Sequence, residues 1–134
     1  MNHAMNTPRR LLLAAALCAA LPTAALAQAW PTAKPITLIV PYTAGGSVDV
    51  NARLVAQRLG ERLKQSVVID NVSGAGGAIG VAKAVNAAPD GYTLVVGPDS
   101  AIAIGKLVNP TAFRFDPLKG LAPVGLLNTA PMVL

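Results

Sequence analysis

The stretch Ile36-Thr37-Leu38-Ile39-Val40-Pro41-Tyr42-Thr43-Ala44-Gly45-Gly46-Ser47-Val48-Asp49 decides how this chain is read. Its first five residues are apolar or β-branched without alternation, the pattern of a strand covered on both faces in a parallel sheet. The strand empties into Gly45 and Gly46. Ala52, Val55, Ala56, Leu59 and Leu63 then recur at helical spacing, with Asn51, Arg58, Glu61 and Arg62 mostly on the other side. Ser47 or Asp49 is placed to cap this helix, which is expected to end near Lys64. A strand that turns through glycines into a helix leaves backbone N–H groups unpaired at one spot. The helix dipole adds partial positive charge there, so the spot suits an anion.

The same pattern follows a second time. Val67-Val68-Ile69-Asp70 reads as a strand and runs into Asn71-Val72-Ser73-Gly74-Ala75-Gly76-Gly77. A helix is expected from within 76–80 to about Ala87, closed by the turn Pro89-Asp90-Gly91. Thr93-Leu94-Val95-Val96 reads as a third strand, and it empties into Gly97-Pro98-Asp99-Ser100. A short helix over 101–107, an irregular stretch over 109–120, and strand material at 124–127 and 131–134 complete the reading. Strand and helix in alternation imply right-handed crossovers, a parallel sheet and an α/β fold. Ligands of such sheets sit outside the carboxyl ends of the strands, where all three polar turns fall.

Each motif has a plainer alternative. The glycines serve either tight turn geometry or close backbone approach to a ligand. The hydroxyls of Thr43, Ser47 and Ser73 either bond a ligand or cap helices, and Asp49 suits a dipole partner or cap better than a catalytic group. Gly74-Ala75-Gly76-Gly77-Ala78-Ile79-Gly80 approaches the dinucleotide fingerprint, but Ile79 stands where the third glycine belongs. No acidic residue ends the next strand at the expected distance, so no nucleotide cofactor is expected, nor any other.

Residues 1–27 read as a secretory signal peptide: Arg9 and Arg10, an apolar run over 11–21, Pro22, then Ala25-Leu26-Ala27. The apolar run is too short to span a bilayer. Leu17 before Cys18 argues against lipidation there. Cleavage after Ala27 removes 27 of 134 residues and leaves 107, starting at Gln28. His3 and Cys18, the only His and Cys, leave with the leader. The remaining chain then has no Ser-His-Asp triad, no thiol nucleophile, no disulfide and no His/Cys metal cluster. Losing Arg9 and Arg10 takes the bases from 11 to 9 against 6 acids, a net charge of +3. That excess is scattered over Lys34, Lys64, Lys83, Lys106 and Lys119, which are expected on solvated faces, and aromatics are few. Nucleic acid is not an expected partner. A chain of this size makes one small domain, burying about 65% of its unfolded surface.

Read together, five ordered blocks resemble a known family. They are Trp30-Pro31-x-x-Lys34-Pro35-Ile36; Ile39-Val40-Pro41-Tyr42-x-Ala44-Gly45-Gly46-x-x-Asp49; Val68-x-x-Asn71-x-x-Gly74-Ala75-Gly76-Gly77; Ala88-Pro89-Asp90-Gly91-Tyr92-Thr93-Leu94; and Phe115-Asp116-Pro117-x-Lys119-x-Leu121-Ala122-Pro123-Val124. The family is the Bug-type extracytoplasmic solute receptors of tripartite tricarboxylate transporters. The resemblance implies a periplasmic-binding-protein-like (type II) fold of two α/β lobes, of which 28–134 would be an incomplete first lobe lacking its second. It implies a monomeric periplasmic receptor that takes small carboxylated metabolites and passes them to membrane transporter subunits. Carried over by position, the ligand loops are Tyr42, Thr43, Ala44, Gly45, Gly46, Ser47 and Asp49, then Ser73, Gly74, Ala75, Gly76 and Gly77. Asp99 and Ser100 form a third candidate loop, where the acid departs from the Ser/Thr-rich family pattern. The competing readings are an exported Rossmann-like enzyme, disfavoured by the empty His and Cys inventory, and a truncated remnant without function.

Overall fold

A computed structural model describes residues 30–129, and the leader assigned to 1–27 lies outside them. Three strands, β1 (Ile36–Val40), β2 (Val67–Asn71) and β3 (Thr93–Val95), form a parallel sheet in the order β2-β1-β3. Leu38 stands opposite Ile69 on one side and Leu94 on the other. The apolar run without alternation takes the central place, with Ile36, Leu38, Ile39 and Val40 all buried. The edge strand β2 is wetter: Val68 is 51% exposed.

Helix α1 (Ser47–Leu63) leads from β1 to β2, and α2 (Ala78–Val85) leads from β2 across to β3. The two crossovers move in opposite directions along the sheet, so right-handed connections set the helices on opposite faces. On the α1 face Leu38, Val40, Ala52 and Ala56 form the core, and Tyr42, Val48, Val67, Ile69, Leu94 and Val96 pack against it. Alanines at 52 and 56 let α1 lie close to the strands. Among the described residues no helix is long and apolar enough to cross a membrane.

The expected cap of α1 is corrected. Gly46 is the N-cap residue and no side chain caps it. Ser47 already lies in the helix, and the Asp49 carboxylate turns back to the N–H of Gly45 instead. The helix does end next to Lys64, which holds a left-handed φ of 52°. Helix α2 stops two residues short of Ala87, where the Asn86 amide bonds the Ala82 carbonyl at 2.9 Å. A 3-10 turn over Ala75–Gly77 precedes it.

Beyond β3 the differences are larger. The helix expected over 101–107 is a π-helical turn (Ser100–Ile104) followed by α3 (Gly105–Val108). The stretch read as irregular contains α4 (Pro117–Gly120), whose start is capped by Asp116 and primed by Pro117 at its first turn. Residues 124–127 form no strand. Val124 and Leu126 are exposed, and an apolar run makes a strand only where a neighbour completes its ladder. Residues 131–134 lie outside the described part. Trp30 sits at the sheet edge, its Nε1 donating to the Gly91 carbonyl at 3.3 Å. Lys34 and Lys83 pair with Asp90 and Asp70 at 2.7 Å each, whereas Lys106 turns inward and donates to the Phe115 carbonyl at 2.6 Å.

The floor under the carboxyl ends of the strands is Pro41, fully buried. Three glycines lean on it. A Cβ at Gly80 would lie 2.7 Å from Pro41 Cα, one at Gly97 3.2 Å from Pro41 Cγ, and one at Gly77 3.5 Å from Pro41 Cβ. The loops after β1, β2 and β3 therefore converge on one proline.

Candidate functional site

The first loop, between β1 and α1, presents Thr43, Ala44, Gly45, Gly46 and Ser47 to solvent, while Tyr42 is half-buried against the core. Gly45 has a φ of 85°, which favours glycine, and open space where a Cβ would stand. The second loop exposes Ser73, Gly74, Ala75 and Gly76 and buries Gly77. All four residues from Gly74 to Gly77 have positive φ: 131°, 50°, 67° and 98°. Gly76, like Gly45, has open space around its missing Cβ. Gly74 and Gly77 do not, since a Cβ would meet Ile79 at 2.6 Å or Ala101 at 2.8 Å. Gly45 and Gly76 thus leave room above the loops, Gly77 is fitted against Ala101, and Gly74 is favoured by its φ of 131°.

The three helix starts at this edge are not alike. The first turn of α1 has no side-chain cap, and neither the 3-10 turn nor α2 has one. The first helical bond of α1 runs from Val50 N–H to the Gly46 carbonyl at 3.0 Å, so the N–H groups ahead of it have no intrahelical partner. By contrast the Asp99 carboxylate accepts the Ser100 N–H at 2.8 Å, so the third loop supplies its own anion. At the first start an acid, Asp49, also lies in the opening turn, but it is paired with Arg53 and leaves the N–H groups of Ser47 and Val48 open. At the second, the N–H groups of Gly77 and Ala78 are taken by the Gly74 and Ala75 carbonyls, and the exposed backbone of Ala75 and Gly76 faces solvent.

Asp49, grouped by sequence with the ligand loops, is buried (2% exposed) and fully engaged within the protein. Its Oδ2 accepts from Arg53 Nε at 2.9 Å and from Gly45 N–H at 2.8 Å, and its Oδ1 accepts from Asn71 Nδ2 at 3.0 Å. The Arg53 bond, then Gly45 and Asn71, hold its carboxyl down to about 2. The Gly45 N–H is therefore spent on Asp49. Arg53 stays exposed on the helix face while its guanidinium reaches back to this cluster, donating to Asn71 Oδ1 at 3.4 Å. Sequence reasoning missed Arg53 and Asn71 as members of the site's support. The i, i+4 spacing of Asp49 and Arg53 was the available signal; nothing local announces Asn71, which comes from another strand.

Among the described residues no group of three or more His, Cys, Asp or Glu side chains could hold a metal. A separate open groove of about 370 Å³ runs beside α2, lined by Ala78, Ile79, Ala82, Asn86, Ala112, Arg114 and Phe115, and none of the sequence-predicted site residues line it.

Comparison with known proteins agrees with the architecture. The profile of the tripartite tricarboxylate transporter family receptor, TctC, matches residues 51–134. A UPF0065 protein of Bordetella bronchiseptica is 41% identical over 126 residues, covering 94% of this chain and 37% of that protein. Protein BugT of Bordetella pertussis is 43% identical over 103 residues, covering 76% of this chain and 31% of that protein. The chain thus spans about a third of the length of the curated relatives it matches. Among solved structures, MatC from Rhodopseudomonas palustris with bound malate superposes with a TM-score of 0.67 at 34% identity, over 72% of this chain and 32% of that one. An R. palustris protein with adipate gives 0.62 at 43% identity, over 67% and 29%. The parallel sheet, the blocks that carry the resemblance and the profile match have one explanation: the chain belongs to the tripartite tricarboxylate transporter receptor family, with BugT among its relatives.

Proposed function

We propose that this chain supplies one side of a periplasmic solute receptor, not an enzyme, that grips a small carboxylate and presents it to the membrane subunits of a tripartite tricarboxylate-type transporter. The observation that carries the reading is the pair of uncapped helix starts, after β1 and after the second loop, on one sheet edge. The first offers the N–H groups of Ser47 and Val48 and partial positive charge, and the second the exposed backbone of Ala75 and Gly76 ahead of the bonded Gly77 and Ala78; a carboxylate needs both donors and charge. Exposed Thr43, Ser47 and Ser73 add hydroxyl donors beside them. Malate and adipate, held by the two solved relatives, are dicarboxylates. The third loop, with Asp99 on its own helix start, repels a second carboxylate and accepts a hydroxyl or ammonium group instead. The receptor acts as a monomer exported through the leader at 1–27, with the ligand loops 42–49 and 73–77 in contact with the solute.

The test is a nitrogen-15 NMR titration of the chain with malate, adipate and a monocarboxylate. Saturable shifts at the amides of Gly46, Ser47, Val48 and Gly76 are expected with the dicarboxylates. Shifts confined to the α2 groove, or none, would refute the assignment.

A further inference from the structure

Resting on the reading of the two loops as a carboxylate cradle, we propose that Asn71 is a positioning residue that locks the first loop to the second, so that one ligand can meet both. Asn71 is the last residue of β2, and its backbone is the root of the second loop. Its side chain goes elsewhere. Nδ2 donates to Asp49 Oδ1 at 3.0 Å and to the Tyr42 carbonyl at 3.3 Å, so one amide holds both ends of the first loop. Asp49 relays the constraint to the Gly45 N–H at 2.8 Å. The backbone is tied in parallel, since Val72 N–H donates to the Val40 carbonyl at 2.9 Å.

The first loop has few other restraints. No side chain caps Gly46, nothing packs where a Gly45 Cβ would stand, and residues 43–47 are exposed. Two consecutive glycines left untied sample many conformations, and a ligand would have to order them on binding. A loop ordered beforehand binds more tightly for the same contacts. The shape of asparagine fits the task. An aspartate there would lose the donor and set a second negative charge against Asp49, and an alanine would reach neither partner.

The experiment uses the 134-residue chain as wild type, Asn71→Ala, the isosteric Asn71→Asp, and Leu94→Ala as a destabilised control on β3, the edge strand opposite the one that carries Asn71. Without ligand, Gly45 amide exchange and nitrogen-15 relaxation over 43–48 are measured; malate titrations follow. The wild-type loop should be as rigid as β1. Both Asn71 variants should exchange Gly45 about tenfold faster and bind malate roughly tenfold more weakly, whereas Leu94→Ala should lose thermal stability and keep the malate affinity. Asn71 variants with wild-type exchange and affinity would overturn the proposal. So would a wild-type loop that is already mobile, whether or not either variant folds. A wild-type chain with a rigid loop but no response to malate or adipate would instead refute the carboxylate reading and, with it, the ligand-positioning role.

Discussion

Asn71 Nδ2 lies 3.0 Å from Asp49 Oδ1, which ties the end of the second strand to the first turn of α1 across 22 residues of sequence. The bond places an anion beneath the first glycine loop and satisfies it from inside the protein. The backbone donors further up the loop remain for a ligand.

Asp49 makes the fold acid-sensitive in a defined window. Its carboxyl titrates near 2 in the folded chain against an ordinary 3.8. A lowered folded value means that stability is fully present above the unfolded value and is lost as pH falls from about 4 to 2. Thermal melts at pH 5, 3 and 2 should show the decline. Asp49→Asn should be less stable than wild type at pH 5, with a shallower loss on acidification.

Gly80→Ala should unfold the chain or cost well above about 1–3 kcal/mol, because its Cβ would press on backbone at Pro41 Cα and Val72 O, both 2.7 Å away. Denaturant melts would measure it. A neutral result would show that α2 can back away from β1.

Lys64→Gly should stabilise the chain by about 1 kcal/mol, since Lys64 holds φ 52° just past α1 and a side chain is disfavoured there. Urea midpoints at constant slope decide this.

Binding by this chain should be weak, with Kd no tighter than about millimolar, or roughly −4 kcal/mol. On the proposed reading the loops described here form one wall of a cleft, which leaves much of the ligand facing water. Calorimetry against di- and tricarboxylates checks the figure. In a full-length receptor Gly45→Val and Gly76→Val should abolish binding while circular dichroism shows a retained fold, and Ser73→Ala should cost about 1 kcal/mol.

Export should leave Gln28 as the first residue. Mass spectrometry of the periplasmic species would read it directly, and a mass retaining Arg9 and Arg10 would contradict the leader.

What the sequence made legible follows the range of each interaction. β1 could be read because four of its five residues are apolar and buried on a central strand, and α1 because its stripe runs along a helix of seventeen residues. The glycine loops could be read because turns at positive φ select glycine. Asp49 was visible as an acid in a first turn, but its partners were not, since Asn71 comes from another strand. Residues 124–127 misled for the same reason: strand formation depends on a neighbour, and composition carries no information about one. The π-helical turn at Ser100–Ile104 has no local composition of its own and could not be told from an ordinary helix.

Pro41 also bears on how this region tolerates change over generations. Gly77, Gly80 and Gly97 belong to different parts of the chain, yet each is fitted against the same ring. A change at any one of them moves the surface that the other two rest on. Substitutions at these positions should therefore be epistatic: paired variants would depart from the sum of the singles, and a residue at 41 without the proline Cγ would open room at Gly97 while leaving Gly80 pressed on backbone.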